Sequence, residues 1–255
     1  MNLSKLISIY TDERFILFAL ATWLIGVTGF ILFAAPLTYI AWKQPKWAEK
    51  YRIQPRQGTA KFILPSIKYS LLNSTLALIG VILSWPILRY SAIHIGTLPT
   101  WYIVIGQVVF FVYLDDFIYY WFHRAMHSKH LYHSVHSLHH RIIVPWAISA
   151  HYMHPIEFLI TVGNVLLGPI LLGSHVVTIW IWVLFRQWIA AEGHCGYDFP
   201  WNPSRLFPFY EGSSYHDFHH AKFQGNYSGF TGYLDRIFGT RSPNYEKYLE
   251  KKAKR

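Results

Sequence analysis

The stretch LPTWYIVIGQVVFFVYLDDFIYYWF (residues 98–122) runs without a break into HRAMH (residues 123–127). Apart from Asp115 and Asp116 near its end it carries no charge, and it exceeds the ~20 residues that a membrane-crossing helix needs. A helix leaving the bilayer here carries His123 and His127 out on one side, because positions i and i+4 differ by about 40° around the axis. This stretch sets two expectations: an all-α integral membrane protein, and metal chemistry where a span meets water.

Two further runs of the same kind precede it. Phe15 to Trp42 is uncharged and long enough to require a tilt or a bend, for which Pro36 is the candidate. Tyr69 to Leu88 is uncharged and bounded by Lys68 and Arg89. A fourth apolar region, Phe158 to Phe185, is broken by Gly168, Pro169, Gly173 and His175 and reads as a helical hairpin. The run from Phe15 follows Asp12 and Glu13 and is too long for a signal-peptide core, so it reads as a retained anchor.

Charge placement orients these spans. Of 255 residues only 14% are charged against 53% hydrophobic, well below the charge of an average soluble domain. The net charge of +10 sits in blocks, seven basic residues between Lys43 and Lys68 and six between Arg241 and Arg255. Blocks that flank apolar runs are the pattern of loops against an anionic cytoplasmic leaflet, and nucleic-acid binding is not expected. With the 43–68 loop cytoplasmic, the third span returns the chain to that side. A hairpin then keeps residues after 192 there too, as two short spans or as a half-depth re-entrant loop. The expected organisation is a single domain over 1–255. Membrane helices occupy 1–122, a cytoplasmic cap 123–155, a hairpin 156–191, and more cap with a basic tail 192–255.

Fifteen histidines stand in the chain, mostly in three short stretches. After His123 and His127 come His136-Ser137-Leu138-His139-His140 and His216-Asp217-Phe218-His219-His220. On a helix the i, i+3 and i+4 positions share a side, so each box is expected to face one centre. Eight imidazoles exceed what one metal ion uses, and two ions take them naturally. Imidazole suits Zn, Cu, Fe and Ni, and iron is favoured where the task is oxidation. There is one cysteine, Cys195, which excludes an intrachain disulfide and a multi-cysteine zinc site. No Glu-x-x-His pair occurs, so a carboxylate-bridged di-iron bundle is not expected. His194, just after the hairpin, is a candidate further ligand. His154 and His151 are weaker candidates, with capping or interface packing the alternative for His154. His94 and His175 read as structural groups at far-side turns. His130 and His133 read as bystanders, because a step of three along one helix winds away from any common centre. Asp217 and Asp198 are candidates to balance the metal charge, and Asp115 or Asp116 to anchor Tyr119 or Tyr120.

With these boxes quoted, the sequence resembles the fatty acid hydroxylase/sterol desaturase superfamily, and within it the C-4 methylsterol monooxygenases. The resemblance covers roughly residues 50–240. It is carried also by Tyr51-Arg52-Ile53-Gln54, Asp116-Phe117 with Tyr120-Trp121, His154-Pro155, Glu192 to Tyr197, Gly225-Asn226-Tyr227 and Asp235 to Thr240. It implies a multi-pass enzyme of the endoplasmic reticulum membrane with its active site towards the cytoplasm. It implies two iron ions (Fe2+/Fe3+), O₂ as co-substrate, and electrons from NAD(P)H through cytochrome b5 or a similar donor protein. The substrate would be a sterol taken from the bilayer and oxidised at a C-4 methyl group. His151 departs from the family, standing where an acidic residue is expected. A sterol desaturase or lipid hydroxylase of the same superfamily is the nearest alternative, and a non-catalytic metal-binding membrane protein the alternative of another class.

Overall fold

The computed structural model describes residues 3–56 and 58–253. A short helix α1 (Leu3–Tyr10) leads through a π-helical stretch, Phe15–Ala21, into α2 (Thr22–Lys43). Two long helices follow, α3 (Ile63–Leu88) and α4 (Trp101–Met126), with α5 (Lys129–Ser134) after them. The hairpin is α6 (Pro155–Leu171) and α7 (Val176–Gly193), and the cap closes with α8 (Ser213–Lys222), α9 (Tyr233–Ile237) and α10 (Pro243–Ala253). The protein is all-α, with no strand among the described residues.

Three helices are long and apolar enough to cross a membrane: Phe15–Lys43, Ala60–Leu88 and Trp101–Met126. Their outward positions are large and apolar, including Leu24, Leu32, Leu71, Leu83, Ile105 and Phe110. Exposed apolar surface on this scale, costly in water, is what a lipid solvent requires. The first span does not break at Pro36; α2 continues through it. Its irregularity is the π-helical entry at Phe15–Ala21, where Phe15 and Phe18 pack against the buried Trp85 of α3.

The hairpin runs the full depth of the bundle. The N-terminus of α6 is capped by the His154 ring, which accepts from the Ile156 amide, with Pro155 in the first turn where its missing N–H costs nothing. His175 caps α7 in the same way, accepting from Val177. Between them Gly173 takes the left-handed conformation (φ +56°), and a Cβ there would stand 2.7 Å from Ala92. That turn docks on the loop between α3 and α4, where the Val176 amide donates to the His94 carbonyl and His94 Nδ1 bonds the Gly173 carbonyl. The hairpin tip therefore lies at the same end as the α3–α4 loop. At about 1.5 Å per residue, helices of 17 and 18 residues span roughly 26 Å, close to the ~30 Å of a hydrocarbon core. His94 and His175 are structural, as their turn positions suggested.

At the opposite end the cap gathers everything that carries histidine boxes. The loop after α2 packs onto it: Ile53 N donates to Gly196 O, Asp198 N to Tyr51 O, and Gln54 Nε2 to both Ile143 O and Asp217 Oδ1. Residues beyond 192 thus return to the end that holds the 43–56 loop.

Candidate metal centre

α4 delivers the first box. Its last turn carries His123, and His127 is its C-terminal cap residue, so both rings stand over the end of the third span. The second box does not sit on an α-helix; residues His136–Arg141 form a 3-10 helix. The third box lies on α8, whose residues from Ser213 to His220 are all buried.

The boxes do not each face one centre. Their rings sort into two groups, His123, His127, His136, His140 and His219 in one, and His139, His194, His216 and His220 in the other. Within each group the ligating nitrogens lie within 4.8 Å of one another. On α8 the i+3 and i+4 positions are about 100° apart around the axis. His216 and His220 therefore turn to one group while His219 turns to the other. The second box splits alike, with His136 and His140 apart from His139. Each of these two boxes thus serves both groups. All nine sequence candidates for metal ligation fall in the two groups, His194 included. His130 and His133 are exposed and outside both.

Tautomers follow from what each ring's Nδ1 touches, since a carbonyl can only accept. His123 Nδ1 donates to Tyr227 O at 2.7 Å, His219 to Gly225 O at 2.8 Å, and His194 to Ala190 O at 2.8 Å. His139 donates to Tyr152 O at 3.2 Å and His220 to Ile142 O at 3.1 Å. His136 Nδ1 donates to Glu157 Oε1 at 2.7 Å. In all six rings Nε2 is left as a bare lone pair. Yet His123 Nε2 and His136 Nε2 approach to 3.1 Å, and His139 and His194 Nε2 to 3.3 Å. Two lone pairs at that distance repel and cannot be a hydrogen bond. Nitrogens each ~2.1 Å from a shared cation are spaced by roughly 3 Å, so the donor set fits metal ions. His140 Nδ1, His216 Nδ1 and His220 Nε2 are also buried without a hydrogen-bond partner.

The electrostatics agree. Burial, with neighbouring imidazoles adding to it, pushes His127 down to about 2 and His139 to about 4; burial alone takes His136 to about 3. Burial likewise lowers His219 to about 4. The rings are neutral at physiological pH, the form that binds metal.

The acid bonded to a box histidine is Glu157, which the sequence reading missed. The signal was present: it is the sole acid between Asp116 and Glu192 and it opens an apolar helix, an expensive position. Asp198 and Asp217, proposed as charge-balancing groups, have other bonds. Asp198 accepts from Ser214 and pairs with Arg205, and Asp217 accepts from Gln54. Asp115 and Asp116 do not anchor the tyrosines of their own helix. Asp115 pairs with Arg186 at 2.8 Å and accepts from Asn164. Asp116 collects the amides of Gly229, Phe230 and Thr231 and the Thr231 hydroxyl. Tyr120 bonds Thr240 instead. The loop 225–231 that supplies the carbonyls for His123 and His219 is held further by Asp235, whose oxygens take the amides of Tyr227 and Ser228.

The weaker candidates separate. His154 is a helix cap. His151 stands in neither metal group. Its ring stacks on Phe30, with centroids 3.7 Å apart, and meets Phe158 edge-on.

Comparison with known proteins places this architecture. The fatty acid hydroxylase family model matches residues 108–240, just over half of the chain. Methylsterol monooxygenase 2-2 of Arabidopsis thaliana is 36% identical over 218 residues, covering 82% of this chain and 81% of the relative. Methylsterol monooxygenase 2-1 of the same plant is 34% identical over 227 residues, covering 82% and 84%. Very-long-chain aldehyde decarbonylase GL1-11 of rice (Oryza sativa subsp. indica) is 38% identical over 199 residues, covering 75% and 74%. No solved structure matches. The matched stretch begins within α4 and ends just past the loop that braces His123 and His219, and on that extent of likeness the chain belongs to the fatty acid hydroxylase family.

Proposed function

We propose that this protein is a di-iron monooxygenase of the endoplasmic reticulum membrane that oxidises a C-4 methyl group of a sterol precursor, using O₂ and electrons from NAD(P)H through cytochrome b5 or a similar donor protein. The observation that carries this reading is the sorting of nine buried or half-buried imidazoles into two adjacent groups, with lone pairs facing lone pairs. An unactivated methyl C–H is beyond side-chain acids and bases; a bound redox metal pair supplies the oxidising power. The nine histidines would hold the ions. The Tyr227, Gly225, Ala190, Tyr152 and Ile142 carbonyls and Glu157 fix ring orientation, and such partners tune ligand basicity. The cap buries both groups and limits the access of water. The relatives named methylsterol monooxygenase support the sterol reading; those named aldehyde decarbonylase support a long-chain aldehyde as the second reading.

Expression in cells that lack sterol C-4 demethylation tests the proposal. Restored growth, disappearance of 4-methyl sterols and about two irons per purified chain are the expected results. A metal-loaded protein that leaves the sterol profile unchanged would remove the sterol assignment.

A further inference from the structure

Two cavities meet beside the metal centre. The larger, about 400 Å³, lies between α2, α3, α6 and α7, within the ~300–1,000 Å³ typical of small-molecule sites. Its walls are almost wholly apolar, and exposed Ile31 and Leu71 stand at its rim on the outer flanks of α2 and α3. It therefore opens towards lipid. The smaller cavity, about 80 Å³, is lined by His139, His194 and His216 of the second histidine group. The first group does not line it.

Five residues belong to both cavities: His151, Phe158, Val162, Val165 and Gln187. Three are apolar and two are polar. Neither the His151 ring nitrogens nor the Gln187 side-chain amide has a hydrogen-bond partner among the described residues. Both residues are half-buried, and polar groups set among apolar walls normally find a partner. The His151 ring is held in place by stacking. His151 is pinned between Phe30 and Phe158, and Gln187 faces α2 at Gly26, where a Cβ would come within 3.6 Å of Nε2. Burial keeps the His151 ring neutral, at about 3, so it offers one donor and one acceptor. The amide of Gln187 offers the same pair of functions.

Resting on the di-iron sterol reading above, we propose that His151 and Gln187 form a polar collar that binds the hydroxyl or carbonyl oxygen of a lipid, leaving its apolar body in the larger cavity and presenting a carbon close to that oxygen, for a sterol the methyl group on the neighbouring ring carbon, to His139, His194, His216 and His220. The collar selects lipids with a hydroxyl or carbonyl close to the reacting position over equally apolar ones that lack it. It also makes the two histidine groups inequivalent, the second facing substrate and the first, with half-buried His127, facing the cap surface.

Binding to the purified protein in lipid nanodiscs tests this without turnover. The probes are a 4,4-dimethyl-3-hydroxysterol and its 3-deoxy analogue, alongside a long-chain aldehyde and the matching alkane. The collar predicts that the wild type binds the oxygenated member of at least one pair about tenfold or more tightly. Gln187→Leu and His151→Phe, which keep volume and ring stacking, should each bring that ratio close to one while the deoxy or alkane partner binds as before. Binding of either probe reports that a variant is folded, and a thermal transition near that of the wild type is the second check. Discrimination on the aldehyde pair alone removes the sterol reading and keeps the collar. Equal binding within both pairs by the wild type, or full discrimination retained by both variants, overturns the collar whatever the substrate.

Discussion

His136 and Glu157 are joined through Nδ1 and Oε1 at 2.7 Å, with both side chains almost fully buried. The contact ties the second histidine box to the first turn of α6, so the membrane hairpin sets the angle of a ring in the cap. Glu157→Ala should lower metal affinity by about 10–100-fold, the range for lost partners of metal-binding histidines. Glu157→Gln keeps an acceptor and should lose less. Competitive metal titration against a chelator measures both, and equal affinities in all three proteins would show that the carboxylate is not needed.

Asp235 acts one bond further out. Its oxygens hold the amides of Tyr227 and Ser228, and the Tyr227 carbonyl receives His123 Nδ1. Asp235 is fully buried, so its replacement also strips partners from a buried loop. Asp235→Ala is expected to destabilise the fold by about 3 kcal/mol or more and to weaken metal binding in the same protein. Thermal unfolding in detergent, followed by metal analysis of the surviving folded fraction, reads the two effects separately.

Individual ligands should differ sharply from their neighbours in sequence. His139→Ala is expected to abolish the proposed sterol oxidation while the protein still inserts in the membrane. His130→Ala and His133→Ala, exposed and outside both groups, should retain most of it. Loss of activity in His130→Ala would place that ring in the chemistry.

The metal-free protein should weaken as the solution becomes acidic. His136, His139 and His219 titrate at about 3, 4 and 4 in the folded chain, held down first by burial, against ~6.5 when unfolded. Between those limits the unfolded chain binds more protons, so stability is full above about pH 6.5 and falls as the pH drops towards 4. Thermal scans of the chelated protein from pH 7.5 to 5 check this; a midpoint that is flat or rises on acidification contradicts it.

The contact between α2 and α7 gives a test of packing. A Cβ on Gly29 would lie 2.7 Å from Leu184 Cδ2, whereas one on Gly26 meets nothing closer than 3.6 Å. Gly29→Val should cost about 1–3 kcal/mol from overpacking, and Gly26→Ala should be tolerated. Paired thermal midpoints decide the matter.

The spans and boxes were legible because each depends on a short repeat: twenty apolar residues, or histidines three and four apart. The hairpin was legible from Gly173 and Pro169, but its depth was not. Depth rests on the distant His94–Val176 contact, which no local pattern encodes. The convergence of these histidines was readable and their division was not. A spacing of three and four reads equally as one face or as two faces 100° apart, and only the neighbouring helix decides. The braces were hidden for a related reason. Glu157, Asp116 and Asp235 reach their partners across 21, 113 and 8 residues, and the last two act on backbone amides that carry no sequence signature.

The division of boxes two and three between both histidine groups makes them rivets through two plates. An ion seated against His216 and His220 immobilises the same turn of α8 that aims His219 at the other group, and His136 and His139 are coupled likewise along their short helix. Occupancy of either location thus prepares its neighbour, and loading should climb more steeply with free metal than two unrelated sites would allow. Chains carrying a single ion should be scarce at half saturation.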